Sequence, residues 1–121
     1  MDALTGRRIL VVEDESLVAM LIETILEDLG CIPVGPAATV PEALSLIEGD
    51  TAIEAALLDV NVAGQQVFPV AEALAARGVP IVFSTGYGEA GLEDQWRGRP
   101  TLQKPFTEAA VEQAIRQALG A

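Results

Sequence analysis

The chain has no histidine, one cysteine (Cys31) and one lysine (Lys104), and only 4% of its 121 residues are aromatic. Without an imidazole there is no His-dependent triad, no His-bearing zinc site and no phosphohistidine on this chain. One cysteine excludes an intrachain disulfide, and Cys31 is expected to be a small core hydrophobe. Basic side chains are scarce as well, seven against 18 acidic ones, for a formal net charge of −11. Such a surface makes nucleic acid and anionic lipid poor partners, because both are held by basic patches. No signal-peptide pattern opens the chain and no apolar run approaches the length of a membrane span, so a cytoplasmic protein is expected.

What is present is aliphatic. Half the residues are hydrophobic, mostly Ala, Val, Leu and Ile, which suits one α/β domain of ordinary size over residues 1–121. Arg8-Ile9-Leu10-Val11-Val12 reads as a first strand ending at Glu13-Asp14. From Ser16 the period changes: Val18, Ile22, Ile25 and Leu29 form a helical stripe, and Gly30 stops it. Cys31 to Gly35 is a weaker strand whose Pro33 suits a sheet edge. Thr39 before Val40-Pro41 predicts a helix start, with Val40, Ala43, Leu44 and Ile47 on its buried side. Ile53 to Val60 is a third strand, followed by a loop at Ala63-Gly64-Gln65. A helix follows with Val67, Val70, Ala71 and Leu74 inward. Pro80 to Phe83 is a fourth strand, running into Ser84-Thr85-Gly86-Tyr87-Gly88. The glycine-rich stretch from Gly86 to Pro100 predicts only a short, poorly anchored helix near Leu92 to Trp96. Thr101-Leu102-Gln103 is a last strand, and Thr107 caps a final helix with Val111, Ala114, Ile115 and Ala118 inward. Five alternations of strand and helix predict a mostly parallel sheet covered on both faces. If the strand order is 2-1-3-4-5, that of a flavodoxin-like (βα)5 fold, the first and third strands are neighbours and their carboxylates meet in one crevice.

In such sheets ligands bind beyond the carboxyl ends of the strands, where the order reverses. Beyond the first strand stand Glu13 and Asp14, at the end of the third Asp59, beyond the fourth Thr85, and beyond the fifth Lys104. Each alone has a structural explanation: helix capping for Glu13-Asp14, a turn for Thr85, a solvated charge for Lys104. Asp59 is the hardest to explain that way, since an unpaired carboxylate at the end of a buried run is costly. Three carboxylates in one crevice repel unless a cation joins them, and all-oxygen donors favour a hard ion, with Mg²⁺ the best fit. Asn61 could add its backbone carbonyl. Cation, ammonium, hydroxyl and a carboxylate nucleophile together suit phosphoryl transfer to an aspartate.

These residues carry a resemblance. Val11-Val12-Glu13-Asp14-Glu15, Leu57-Leu58-Asp59-Val60-Asn61, Ser84-Thr85-Gly86 and Lys104-Pro105-Phe106 resemble the receiver domain of two-component response regulators, over essentially the whole chain. Phe83-Ser84-Thr85-Gly86-Tyr87-Gly88 looks like the FAT GUY branch of single-domain receivers, with serine in place of the usual alanine. The resemblance implies that Asp59 accepts a phosphoryl group from a histidine kinase or phosphotransfer protein. It further implies that Glu13, Asp14, Asp59 and the Asn61 carbonyl hold Mg²⁺. Thr85 would bond one phosphoryl oxygen and Lys104 pair with another, across a cis Lys104-Pro105 peptide. Asn61 and Tyr87 match positions that tune phosphoryl lifetime.

Two positions depart from the common receiver pattern. Thr101 stands where an aromatic switch residue is usual, as in the FAT GUY branch, and Ala63 stands where proline is usual. The stretch from Gly86 to Gly98 then becomes the candidate for an element that orders on phosphorylation. No output domain is expected after the last helix, and no enzymatic turnover beyond self-phosphorylation and dephosphorylation. Output would pass through a phosphorylation-dependent protein contact; the alternative is a phosphate sink draining a shared kinase. A haloacid dehalogenase-like Mg²⁺ phosphohydrolase is a remote alternative, since it needs an aspartate where this chain has Asn61. A flavin binder would place its phosphate loop after the first strand, and a receiver working without phosphorylation would not need all five site residues.

Overall fold

A computed structural model describes residues 2–50, 52–86 and 91–120. Five strands form one parallel sheet: β1 (Arg8–Val12), β2 (Ile32–Ala37), β3 (Ala55–Asp59), β6 (Ile81–Thr85) and β7 (Thr101–Gln103). Their order is β2-β1-β3-β6-β7, the expected 2-1-3-4-5. The sheet is covered by α1 (Ser16–Asp28), α2 (Val40–Gly49), α3 (Phe68–Ala75) and α4 (Glu108–Leu119). Among the described residues no helix is long and apolar enough to cross a membrane.

The apolar runs explain the layering. Strand side chains alternate between faces, so β1 sends Leu10 and Val12 to one core and Ile9 and Val11 to the other. Leu58 and Phe83 join the first core with α2 and α3, while Leu57, Val82 and Leu102 join the second with α1 and α4. All five residues of β3 and all five of β6 are buried. Each Leu, Ile or Val so buried contributes roughly 1.5–3 kcal/mol. Cys31 is buried, as expected, with its thiol donating to the Leu4 carbonyl. Pro33 does lie on the edge strand β2. Thr39 caps α2 by accepting from the Glu42 N–H, and Thr107 caps α4 by accepting from the Ala110 N–H.

Three details differ from the sequence expectations. The loop after β3 contains a small antiparallel hairpin, β4 (Asn61–Val62) and β5 (Gln65–Gln66). Ala63 (φ 51) and Gly64 (φ 81) form its two-residue turn, the positive-φ pair that matches the twist of paired strands. Second, the segment before β7 is anchored. A 3-10 turn (Asp94–Trp96) stands where a helix was expected, and four α-helices rather than five occur among the described residues. Trp96 is only 4% exposed because it stacks on Phe68 at 6.5 Å and meets Phe83 edge-on at 6.0 Å. Arg99 lies over its outer face, 4.7 Å from the ring centroid. Finally, β3 is shorter than Ile53 to Val60, because pairing with β1 and β6 covers only Ala55 to Asp59. Tyr87 lies outside the described residues.

Candidate functional site

Register brings the predicted residues to one edge. β1 pairs with β3 so that Val12 opposes Leu58, which sets Glu13 and Asp14 beside Asp59. The chain leaving each strand is tied down by main-chain bonds. The Glu13 N–H donates to the Ala37 carbonyl at 2.9 Å, the Val60 N–H to Ser84 at 3.2 Å, and the Lys104 N–H to Thr85 at 3.1 Å. Strand ends held in this way present their side chains at fixed positions.

Glu13 is 2% exposed and Asp59 8%, while Asp14 stands open to solvent. One oxygen from each of the three lies within 4.8 Å of the others. Lys104 reaches across to them: its Nζ is 3.0 Å from Glu13 Oε1 and 3.4 Å from Asp59 Oδ1. Asp14 Oδ2 accepts from the Ala63 N–H at 3.1 Å. That contact gives Ala63 a physical meaning, because proline has no N–H to give and cannot adopt a φ of 51. Thr85 is 3% exposed at the end of β6. Asn61 is exposed at the head of the hairpin, two residues past Asp59.

One ammonium faces three carboxyl groups, and the imbalance shows on Glu13. Burial, then the Asp59 carboxylate beside it, push Glu13 from 4.5 up to about 7, against the opposing pull of Lys104. Burial alone would lower Lys104, but its bonds to Glu13 and Asp59 outweigh that and raise it, so it stays charged at neutral pH. Hard oxygen donors carrying uncompensated negative charge are what a small divalent cation needs. Glu13, Asp14 and Asp59 therefore fit Mg²⁺. The Lys104–Pro105 peptide is cis, as the resemblance implies, and Gly35–Pro36 is cis as well.

The sequence reading assigned no role to Ser84. Its hydroxyl is buried without a hydrogen-bond partner, and its residue pairs with Asp59 across β3 and β6. Alternation along β6 was the available signal, but only strand pairing shows that Asp59 is its neighbour. Around Lys104, Val18 and Leu21 of α1 join Pro105 and Phe106 in lining an apolar hollow of about 310 Å³. Leu17 and Met20 stand exposed on the same helix.

The comparisons with known proteins agree with this geometry. The family model described as the response regulator receiver domain matches residues 9–116. The chain is 35% identical over 115 residues to the phyllosphere-induced regulator PhyR of Methylorubrum extorquens, covering 92% of this chain and 43% of that protein. It thus spans less than half the length of that relative. Among solved structures, SdrG from Sphingomonas melonis Fr1 is 49% identical with a TM-score of 0.84, covering 98% of this chain and 99% of that one. The receiver domain of the sensor histidine kinase PA1611 from Pseudomonas aeruginosa PAO1, solved with a magnesium ion coordinated in its active site cleft, is 25% identical. Its TM-score is 0.82, over 97% of this chain and 100% of that one.

Proposed function

The chain belongs to the response regulator receiver domain family, and from that premise we propose that Asp59 is its phosphoacceptor in two-component signalling. The observation that carries the reading is a nearly buried aspartate, 8% exposed, held 3.4 Å from the chain's one lysine. Two further carboxylates beside it fit a cation.

A carboxylate oxygen of Asp59 attacks the phosphorus of a phosphohistidine on the donor. An O–P bond forms, the P–N bond breaks, and its electron pair stays on the departing imidazole nitrogen. Lys104, already within reach of Asp59, takes the negative charge of one phosphoryl oxygen, and the Thr85 hydroxyl donates to another. Glu13, Asp14 and Asp59, with the Asn61 carbonyl, would hold Mg²⁺, whose charge neutralises phosphoryl oxygens and the carboxylates together. Hydrolysis reverses the modification: water attacks phosphorus, inorganic phosphate leaves and the Asp59 carboxylate is restored. Asn61 and Tyr87 are assigned the control of that water's access. The chain modifies only its own aspartate and is no enzyme in the turnover sense.

The donor is a cytoplasmic histidine kinase or phosphotransfer protein. Its docking face is the apolar rim of Leu17, Met20 and Leu21 with Pro105 and Phe106, which borders Lys104. The phosphorylated state then changes a contact with a downstream protein. Incubating the protein with Mg²⁺ and acetyl phosphate, and weighing it by mass spectrometry, tests the chemistry. Gain of one phosphoryl group in the wild type and none in Asp59→Asn is the expected result; an unmodified wild type refutes it.

A further inference from the structure

The Asp59–Lys104 ion pair crosses a strand. Asp59 ends β3 and Lys104 follows β7, while β6 runs between them. Strands two places apart lie about 10 Å from each other, so the 3.4 Å contact between Nζ and Oδ1 bridges over β6. The face it crosses can be identified. Leu57, Val82 and Leu102 all belong to the core under α1 and α4. Two residues further along each chain, on the same face, come Asp59, Ser84 and Lys104. Ser84 pairs with Asp59 on one side and with Leu102 on the other. It is therefore the residue of β6 that lies beneath the bridge.

Ser84 is 1% exposed, and its Oγ has no hydrogen-bond partner. A buried hydroxyl left unpaired costs folding free energy that an alanine of nearly equal size avoids. A hydroxyl in that place acquires a use if a second state supplies its partner, and Lys104 and the reacting aspartate are the polar groups that the bridge sets above it.

Resting on the phosphoacceptor reading of Asp59, we propose that Ser84 is a positioning residue for Lys104. Converting Asp59 to an acyl phosphate removes its carboxylate charge and draws the ammonium from Asp59 Oδ1 to a phosphoryl oxygen. Lys104 has three N–H groups, and Ser84 Oγ accepts one of them in that state, fixing the ammonium over the phosphoryl group. At rest, Glu13 and Asp59 hold the ammonium, and the hydroxyl is idle.

Ser84→Ala separates this role from simple packing. Because Lys104 is the chain's one lysine, ¹⁵N-lysine labelling gives a single side-chain Nζ signal. Wild type and Ser84→Ala are compared by thermal melting in EDTA and in Mg²⁺ with beryllium fluoride, which mimics the phosphoryl group. In EDTA the variant should melt at or above the wild-type temperature. With beryllium fluoride its affinity should fall about tenfold, the weight of one charge-assisted hydrogen bond, and the Lys104 signal should miss the shift that wild type shows. A variant that melts lower in EDTA, or that matches wild type in beryllium fluoride affinity and Lys104 signal, overturns the proposal while leaving the Asp59 reading intact. A wild type that neither binds beryllium fluoride nor gains a phosphoryl group overturns both.

Discussion

Replacing Asp59 with asparagine should stabilise the magnesium-free protein at alkaline pH. In the resting site Glu13 is pushed from 4.5 to about 7 by burial and by Asp59, a displacement equivalent to about 3 kcal/mol. Burial is the largest cause, and Asp59 adds to it both as a hydrogen-bond partner and through its charge, so removing that charge should recover part of the displacement, on the order of 1 kcal/mol. The substitution also gives up the 3.4 Å pair with Lys104, but Lys104 keeps its shorter 3.0 Å bond to Glu13. The net gain should be several tenths to about 1 kcal/mol, or about 2–5 °C in melting temperature for a domain of this size. The pH dependence has a definite sign. A carboxyl group whose folded pKa is raised supports the fold fully below its unfolded value and loses that contribution as pH climbs through the folded one. Wild type in EDTA should therefore lose stability between pH 4.5 and about 7, and Asp59→Asn should lose less. Differential scanning calorimetry in EDTA from pH 4.5 to pH 8, repeated with Mg²⁺, reads both effects. Mg²⁺ should raise the wild-type melting temperature strongly and the variant's weakly. A variant that melts below wild type in EDTA at pH 8, or gains as much from Mg²⁺, would refute the charge argument.

Ala63→Gly should relieve the strain of an alanine held at φ 51 while keeping the N–H that Asp14 accepts. The expected gain is about 0.5–1 kcal/mol in urea denaturation, with Mg²⁺ affinity unchanged. Met20→Glu, on the exposed face of α1, should leave folding within about 0.5 kcal/mol of wild type. Phosphorylation by acetyl phosphate should be untouched, while transfer from a phosphorylated kinase slows about tenfold or more, as loss of an interface anchor would cause. Stopped-flow comparison of the two donors separates these outcomes, and equal slowing with both would remove α1 from the docking face.

Much of the molecule was legible because its signals are local. The buried runs of β1, β3 and β6 read as continuous apolar stretches, since both faces of each strand are covered. Thr39 and Thr107 announced their helices because a cap bonds to an N–H three residues away. Glu13, Asp14, Asp59, Thr85 and Lys104 could be gathered because each follows a strand and the fold type specifies where strands end. The hairpin after Asp59 was hidden by Ala63, a residue that seldom takes positive φ. The anchoring of the 3-10 turn was hidden for another reason. Trp96 sits in a glycine-rich stretch, and its partners Phe68 and Phe83 are distant in sequence. Side-chain contacts at such separation follow from packing, which periodicity does not report. Ser84 was missed because a serine in an apolar strand looks like a tolerated alanine until its register neighbour is known.

The packing around Trp96 bears on how a phosphoryl group at Asp59 would be felt elsewhere. Thr101, where an aromatic side chain is usual in the family, is half-buried and its hydroxyl donates to the Arg99 carbonyl. It therefore has no ring to swing inward. The aromatic mass is supplied instead by β6 and the 3-10 turn, where Phe83, the register partner of Thr101 and two residues before Thr85, meets Trp96. On the proposed chemistry, drawing Thr85 toward a phosphoryl oxygen pulls on the strand that carries Phe83. The 3-10 turn is seated against Phe83 through Trp96, and Arg99 stacked on Trp96 leads directly into β7 and Lys104. The two side chains proposed to bind the phosphoryl group thus connect to one aromatic cluster, Thr85 through Phe83 and Lys104 through the chain after Arg99. That arrangement makes the 3-10 segment, rather than residue 101, the place where the state of Asp59 would be expressed on the surface.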